Sequence, residues 1–170
     1  MNIGEAGKTI VIGLGNTILG DDGIGPLIVE ELRSRLESEG AAVVTGAFHS
    51  FDLMEKMVGC SRAFIVDAIQ VEEGEEGDLM VFTLEELLKH AMLESPHRAN
   101  LLGAIKAGKK MGLPLPSEIT VFGIRVRFDL EITEELSDKI SAAYPGLLQK
   151  ITELFKEYDV LPEGGCPDVS

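Results

Sequence analysis

VIGLGNTILGDDGIG, residues 11–25, reads as the end of a strand, a glycine-rich turn and the start of a helix, and this succession decides the fold. KTIVIGLG (8–15) is a short β-branched run ending in glycine, the pattern of a strand buried on both faces of a parallel sheet. From Gly25 the period changes. Pro26 suits a first helical turn, and Leu27, Ile28, Glu31, Leu32, Arg35 and Leu36 give an amphipathic repeat that stops at Gly40. A buried strand, a tight turn and a helix form the first half of a right-handed crossover.

The turn resembles a nucleotide-binding loop at first sight, but the chemistry disagrees. The third glycine of GxGxxG falls on Ile18, and the end of the next strand, Val43 to Phe48, offers no carboxylate for a ribose. No GxxxxGK[ST] occurs. Asp21 and Asp22 would also repel a pyrophosphate, at about 1 kcal/mol per close pair even in water.

The rest of the chain continues the alternation. AAVVTG (41–46) is a second strand, and Ser50 is placed to cap a helix over 51–59. RAFIVDAI (62–69) is a buried strand carrying Asp67 near its end, and LMVFT (79–83) is a fourth strand. Thr83 and Glu86 form a capping box for a helix over 84–93, Ser95 and Pro96 open another to Gly112, and ITVFGIRV (119–126) is the fifth strand. Thr133 is placed to cap a last helix, EELSDKISAAYPGLLQKITELFKEY (134–158), which Pro145 is expected to kink or break. The pattern predicts a single domain over residues 1–170 with an ordered core at about 8–158 and a loose tail over 161–170. Its class is α/β: three layers, α/β/α, around a twisted, mostly parallel five-stranded sheet of the phosphorylase/hydrolase-like kind.

Composition narrows the function. Against 15 Lys and Arg stand 29 Asp and Glu, a net charge of −14 with no basic patch, which argues against nucleic acid and anionic membranes as partners. No apolar run reaches the roughly 18 residues of a membrane span, and MNIGEAGK lacks the features of a signal peptide, so a cytoplasmic protein is expected, and a monomer. Cys60 and Cys166 are far apart, and Cys60 reads as a packing residue.

In a doubly wound sheet, ligands gather at the carboxyl ends of the strands where the strand order reverses. In a 2-1-3 order that crevice lies between strands one and three, which places Asp22 and Asp67 across it from each other. Two neighbouring carboxylates raise each other's pKa unless they share a proton or a metal ion. His97, in the SPH that opens a later helix, sits at the positive end of a helix dipole that favours a neutral imidazole, a metal ligand. Two carboxylates and an imidazole suit a borderline divalent ion such as nickel or zinc, with coordination positions to spare. Asp21 reads as a cap for the helix near Gly25, His49 as a possible rim residue, and His90 as an ordinary helix-surface histidine.

GLGNTILGDDGIG after the first strand, IVDAI at the end of the third and SPH at a helix start together resemble the hydrogenase maturation proteases, over about Lys8 to Tyr158. The resemblance implies an aspartyl-type, metal-assisted endopeptidase that trims the C-terminal extension from a nickel-iron hydrogenase large-subunit precursor. It also implies that Asp22, Asp67 and His97 contact nickel carried by that precursor, with zinc or cadmium-like ions able to substitute. A non-catalytic nickel-sensing or chaperone-like binding protein on the same scaffold is the alternative. One departure stands out: Thr45-Gly46-Ala47 occupies the place where many family members have DGG.

Overall fold

The computed structural model describes residues 7–70, 73–89, 96–127 and 131–164, the side chains of 87–89, 96–100 and 102 excepted. Strands β1 (Thr9–Leu14), β2 (Ala42–Gly46), β3 (Arg62–Ile69), β4 (Leu79–Thr83) and β5 (Glu118–Arg125) form one sheet in the order β2-β1-β3-β5-β4. All neighbours are parallel except β4, which runs antiparallel to β5 at the edge. Helices α1 (Ile24–Ser38), α2 (Ser50–Met57), α3 (Leu84–Lys89), α4 (Pro96–Lys110) and α5 (Asp138–Glu157) complete the α/β fold.

Alternation along β1 shows why there are three layers. Val11 packs with Ile28 and Leu32 of α1 and Ile151 and Phe155 of α5, whereas Ile10 and Ile12 pack with Leu53 and Met57 of α2 and Leu101 and Ile105 of α4. Successive side chains of a strand point to opposite faces, so an uninterrupted apolar strand requires cover on both. On the α1/α5 side Phe64, Phe122 and Phe155 meet in edge or tilted contacts with ring centroids 5.3–5.8 Å apart. Cys60 is buried, and burial pushes its thiol pKa up, as suits a packing residue.

The local signals for helix starts divide. The capping box forms as its residues dictate: the Thr83 amide donates to Glu86 Oε2 at 2.8 Å and the Glu86 amide to Thr83 Oγ1 at 3.2 Å. Ser50 is instead the first residue of α2, and no side chain caps that helix. Thr133 does not cap the last helix. That role falls to Ser137, whose Oγ accepts from the Ile140 amide, while Thr133 pairs its backbone with the loop after β1.

Pro145 does not break α5, which runs through it from Asp138 to Glu157. Proline leaves the Ser141 carbonyl without its helical donor. Both residues are exposed, so water can serve that oxygen, and the buried Ile140, Leu147, Ile151 and Phe155 hold the helix on either side. Leu161, expected to begin a loose tail, is buried at 4 % exposure; residues 165–170 lie outside the described ones, as do 90–93 of the expected helix after β4. Among the described residues no helix is long and apolar enough to cross a membrane.

Candidate functional site

The chain reverses its winding between β1 and β3. From β1 it passes through α1 to β2 on one side, and from β2 through α2 to β3 on the other, with the two helices on opposite faces. Asp22 lies in the 3-10 turn Gly20–Gly23 that follows β1, and Asp67 lies near the end of β3, in register with Leu14 of β1 and Gly123 of β5. The turn packs against β3, so the two carboxylates belong to adjoining segments at the carboxyl edge of the sheet.

Glycines make this approach possible. A Cβ on Gly15, where φ is +144°, would fall 2.0 Å from the Asp22 carbonyl oxygen, and one on Gly25 would fall 2.3 Å from the carbonyl oxygen of Val66. No L side chain fits either place. The motif thus brings the Asp22 turn back onto β1 and seats the first turn of α1 on the residue preceding Asp67.

Asp22 is anchored through one oxygen. The Asn16 amide donates to Oδ2 at 2.7 Å, while Asn16 Oδ1 accepts from the Ile18 amide at 3.2 Å, which orders the loop between. Among the described residues nothing donates to Asp22 Oδ1. Asp67 is 7 % exposed, in a place where a carboxylate interacts with a cation more strongly than it would in water.

Asp21 does not cap α1, whose start carries no side-chain cap. Its Oδ1 instead accepts the Ser137 amide at 2.7 Å, so it ties the loop after β1 to the start of α5. This contact spans more than a hundred residues and leaves no local signal in the sequence.

His97 falls in the first turn of α4. The backbone places that turn at the same edge: α4 leads through 111–117 into the start of β5, and a 15-residue helix returning antiparallel to the strands spans about 22 Å, the depth of the sheet. The His97 side chain and His90 lie outside what is described. Among the described residues no group of three or more His, Cys, Asp or Glu side chains is placed to hold a metal ion. His49, exposed, directly precedes α2 at this edge.

Thr45, at the carboxyl end of β2, lies against a carboxylate of α1. Its Oγ1 donates to Glu30 Oε1 at 2.5 Å, and Arg33 holds the same Glu30 at 2.6 Å. The Arg33 and then the Thr45 hydrogen bond pull the Glu30 carboxyl down to about 2.

Beside Asp22 lies a cavity of about 210 Å³, lined by Asp21, Asp22, Glu131, Thr133, Glu135 and Arg127. Carboxylates that line a cleft can take up a divalent cation or hold a water as a general base.

The family model for hydrogenase maturation proteases matches residues 26–154, a span that includes Asp67 and His97 and begins just after Asp22. The chain is similar to the hydrogenase 2 maturation protease of Escherichia coli K12, with 26% identity over 90% of this chain and 93% of that one. It also resembles the solved hydrogenase maturating endopeptidase HybD from Escherichia coli, with a TM-score of 0.71 and 25% identity over 89% of this chain and 93% of that one. A solution structure of an endopeptidase from Escherichia coli matches with a TM-score of 0.73 and 26% identity, covering 94% and 99% of the two chains.

Proposed function

The chain belongs to the hydrogenase maturation protease family, and on that premise we propose that it removes the C-terminal extension of a nickel-iron hydrogenase large-subunit precursor. The observation that carries the reading is the packing of the Asp22 turn against β3, the strand that bears Asp67 near its carboxyl end, at the point where the strand order reverses.

In this reading the nickel is the precursor's cargo. Asp22 and Asp67 supply oxygen ligands and His97 a nitrogen, and the precursor completes the shell. Asp22 suits the task because Asn16 fixes Oδ2 and orients the carboxylate, while Oδ1 is left for a cation. Held there, such an ion would supply Lewis-acid polarisation of the scissile carbonyl or of a water, and Asp22 or Asp67 would take the proton of the attacking water and return it to the departing amine. The ion's presence beside the peptide bond makes loading a condition of cleavage.

The test compares precursor loaded with nickel and precursor without it, each incubated with the purified protein, with the new C-terminus read by mass spectrometry. Cleavage of the loaded form alone is expected. Metal-dependent binding with no cleavage of either form would overturn the reading in favour of a nickel-sensing binder.

A further inference from the structure

Thr133 forms an isolated parallel bridge with Leu19: its amide donates to the Ile18 carbonyl at 3.0 Å, and its carbonyl accepts from the Gly20 amide at 2.7 Å. In extended chain, alternate residues turn their backbone groups to opposite sides. The N–H and C=O of Ile132 therefore point away from the Leu19 segment, and among the described residues neither has a hydrogen-bond partner. Thr133 alone is bridged, and the backbone of Ile132 beside it is open on the other side.

The two faces of this segment differ in chemistry. The register that sets Leu19 beside Thr133 sets Ile18 beside Ile132 on the outer face, where they are 48% and 80% exposed. The inner face carries Leu19, Glu131 and Thr133, which line the cavity shared with Asp21 and Asp22. Carboxylates dominate that cavity, with Arg127 its one cation among the described residues, and Arg127 is already paired with Glu76 at 3.4 Å.

We propose that the edge at Ile132 takes the segment of the precursor around its processed bond as an added β-strand, in which apolar and basic side chains alternate. The identification of the occupant rests on the endopeptidase reading above. An added strand supplies the missing partners of Ile132 and displays its own side chains alternately. One set covers Ile18 and Ile132, and the other enters the acidic cavity beside Asp22. Charge complementarity selects basic residues for the second set, and the shared cavity delivers the strand to Asp22.

The test uses the full-length chain and unprocessed large-subunit precursor, with binding followed by fluorescence anisotropy and cleavage by mass spectrometry. Ile132→Asp and Glu131→Lys are each expected to weaken precursor binding about tenfold. Met111→Asp, equally exposed but at the far end of α4, leaves binding unchanged. Precursor slows hydrogen exchange of the Ile132 amide about tenfold or more. Wild-type affinity in both edge variants, or an Ile132 amide that stays unprotected in the complex, overturns the proposal even if cleavage proceeds. Edge-dependent binding with no cleavage supports the docking mode and overturns the endopeptidase reading instead.

Discussion

Gly25 rests against Val66 so closely that an added Cβ would fall 2.3 Å from the Val66 carbonyl oxygen. Nothing flexible separates them, since one belongs to the first turn of α1 and the other to a central strand. Gly25→Ala is therefore expected to destabilise the fold by about 2 kcal/mol, despite alanine's better helix propensity. Urea denaturation reads that loss, and precursor processing should fall with it because the Asp22 turn is displaced from β3.

Asp22→Asn and Asp67→Asn separate chemistry from folding. In Asp22→Asn the asparagine keeps an oxygen to accept the Asn16 amide, so the loop should hold its shape and the melting temperature of that variant should change little. Processing is expected to drop by about 100-fold or more in each. Near-normal processing by Asp67→Asn would remove the basis for a carboxylate pair at the cleavage site.

Asp21 should behave differently from its neighbour. Because it holds the Ser137 amide, Asp21→Ala is expected to cost about 1 kcal/mol and to raise the apparent KM for precursor, while Asp21→Asn, which retains an acceptor, stays close to wild type. Loss of processing in Asp21→Asn as complete as in Asp22→Asn would make Asp21 a direct participant.

The Glu30 carboxyl, held near 2 by Arg33 and Thr45, makes stability depend on acid. Its folded pKa lies below the unfolded one, so its contribution is present above the ordinary carboxylate pKa and is lost as pH falls from about 4.5 toward 2. Glu30 is half exposed, and solvent screening keeps the contribution under about 1 kcal/mol. Chemical denaturation at pH 6 and pH 2.5 should show a smaller difference for Glu30→Gln than for wild type.

Tyr144 answers at the other end of the pH scale. Burial first, and the hydrogen bond to Glu31 second, raise its pKa, and its hydroxyl donates to Glu31 Oε2 at 2.6 Å, joining α5 to α1. A raised folded pKa means that the contribution is complete below about pH 10, the unfolded value, and is lost as pH rises through the folded one. Tyr144→Phe is expected to lose about 1 kcal/mol at neutral pH and to show a shallower decline of stability in alkali.

The sequence by itself determined the elements and the class. RAFIVDAI and LMVFT are strands over the expected residues, the amphipathic repeat after Gly25 is α1, and Thr83 with Glu86 starts α3. Such signals are local: propensity, period and capping act over a few residues, and a parallel strand buried on both faces is apolar throughout. The three motifs that carry the family resemblance are local too. Only tertiary structure decided what Asp21 and Thr133 do, because their partners, Ser137 in one case and Ile18 and Gly20 in the other, lie across the chain. An aspartate shortly before a helix reads as a cap, and a threonine before an acidic helix does so equally. Their side-chain and backbone groups go instead to whichever donor or acceptor the packed loops bring within about 3 Å. The same holds for Thr45, whose carboxylate neighbour comes from α1 and not from its own strand. Pairing of this kind is set by how β1, α1 and α5 stack, a property of the whole core that no short segment encodes.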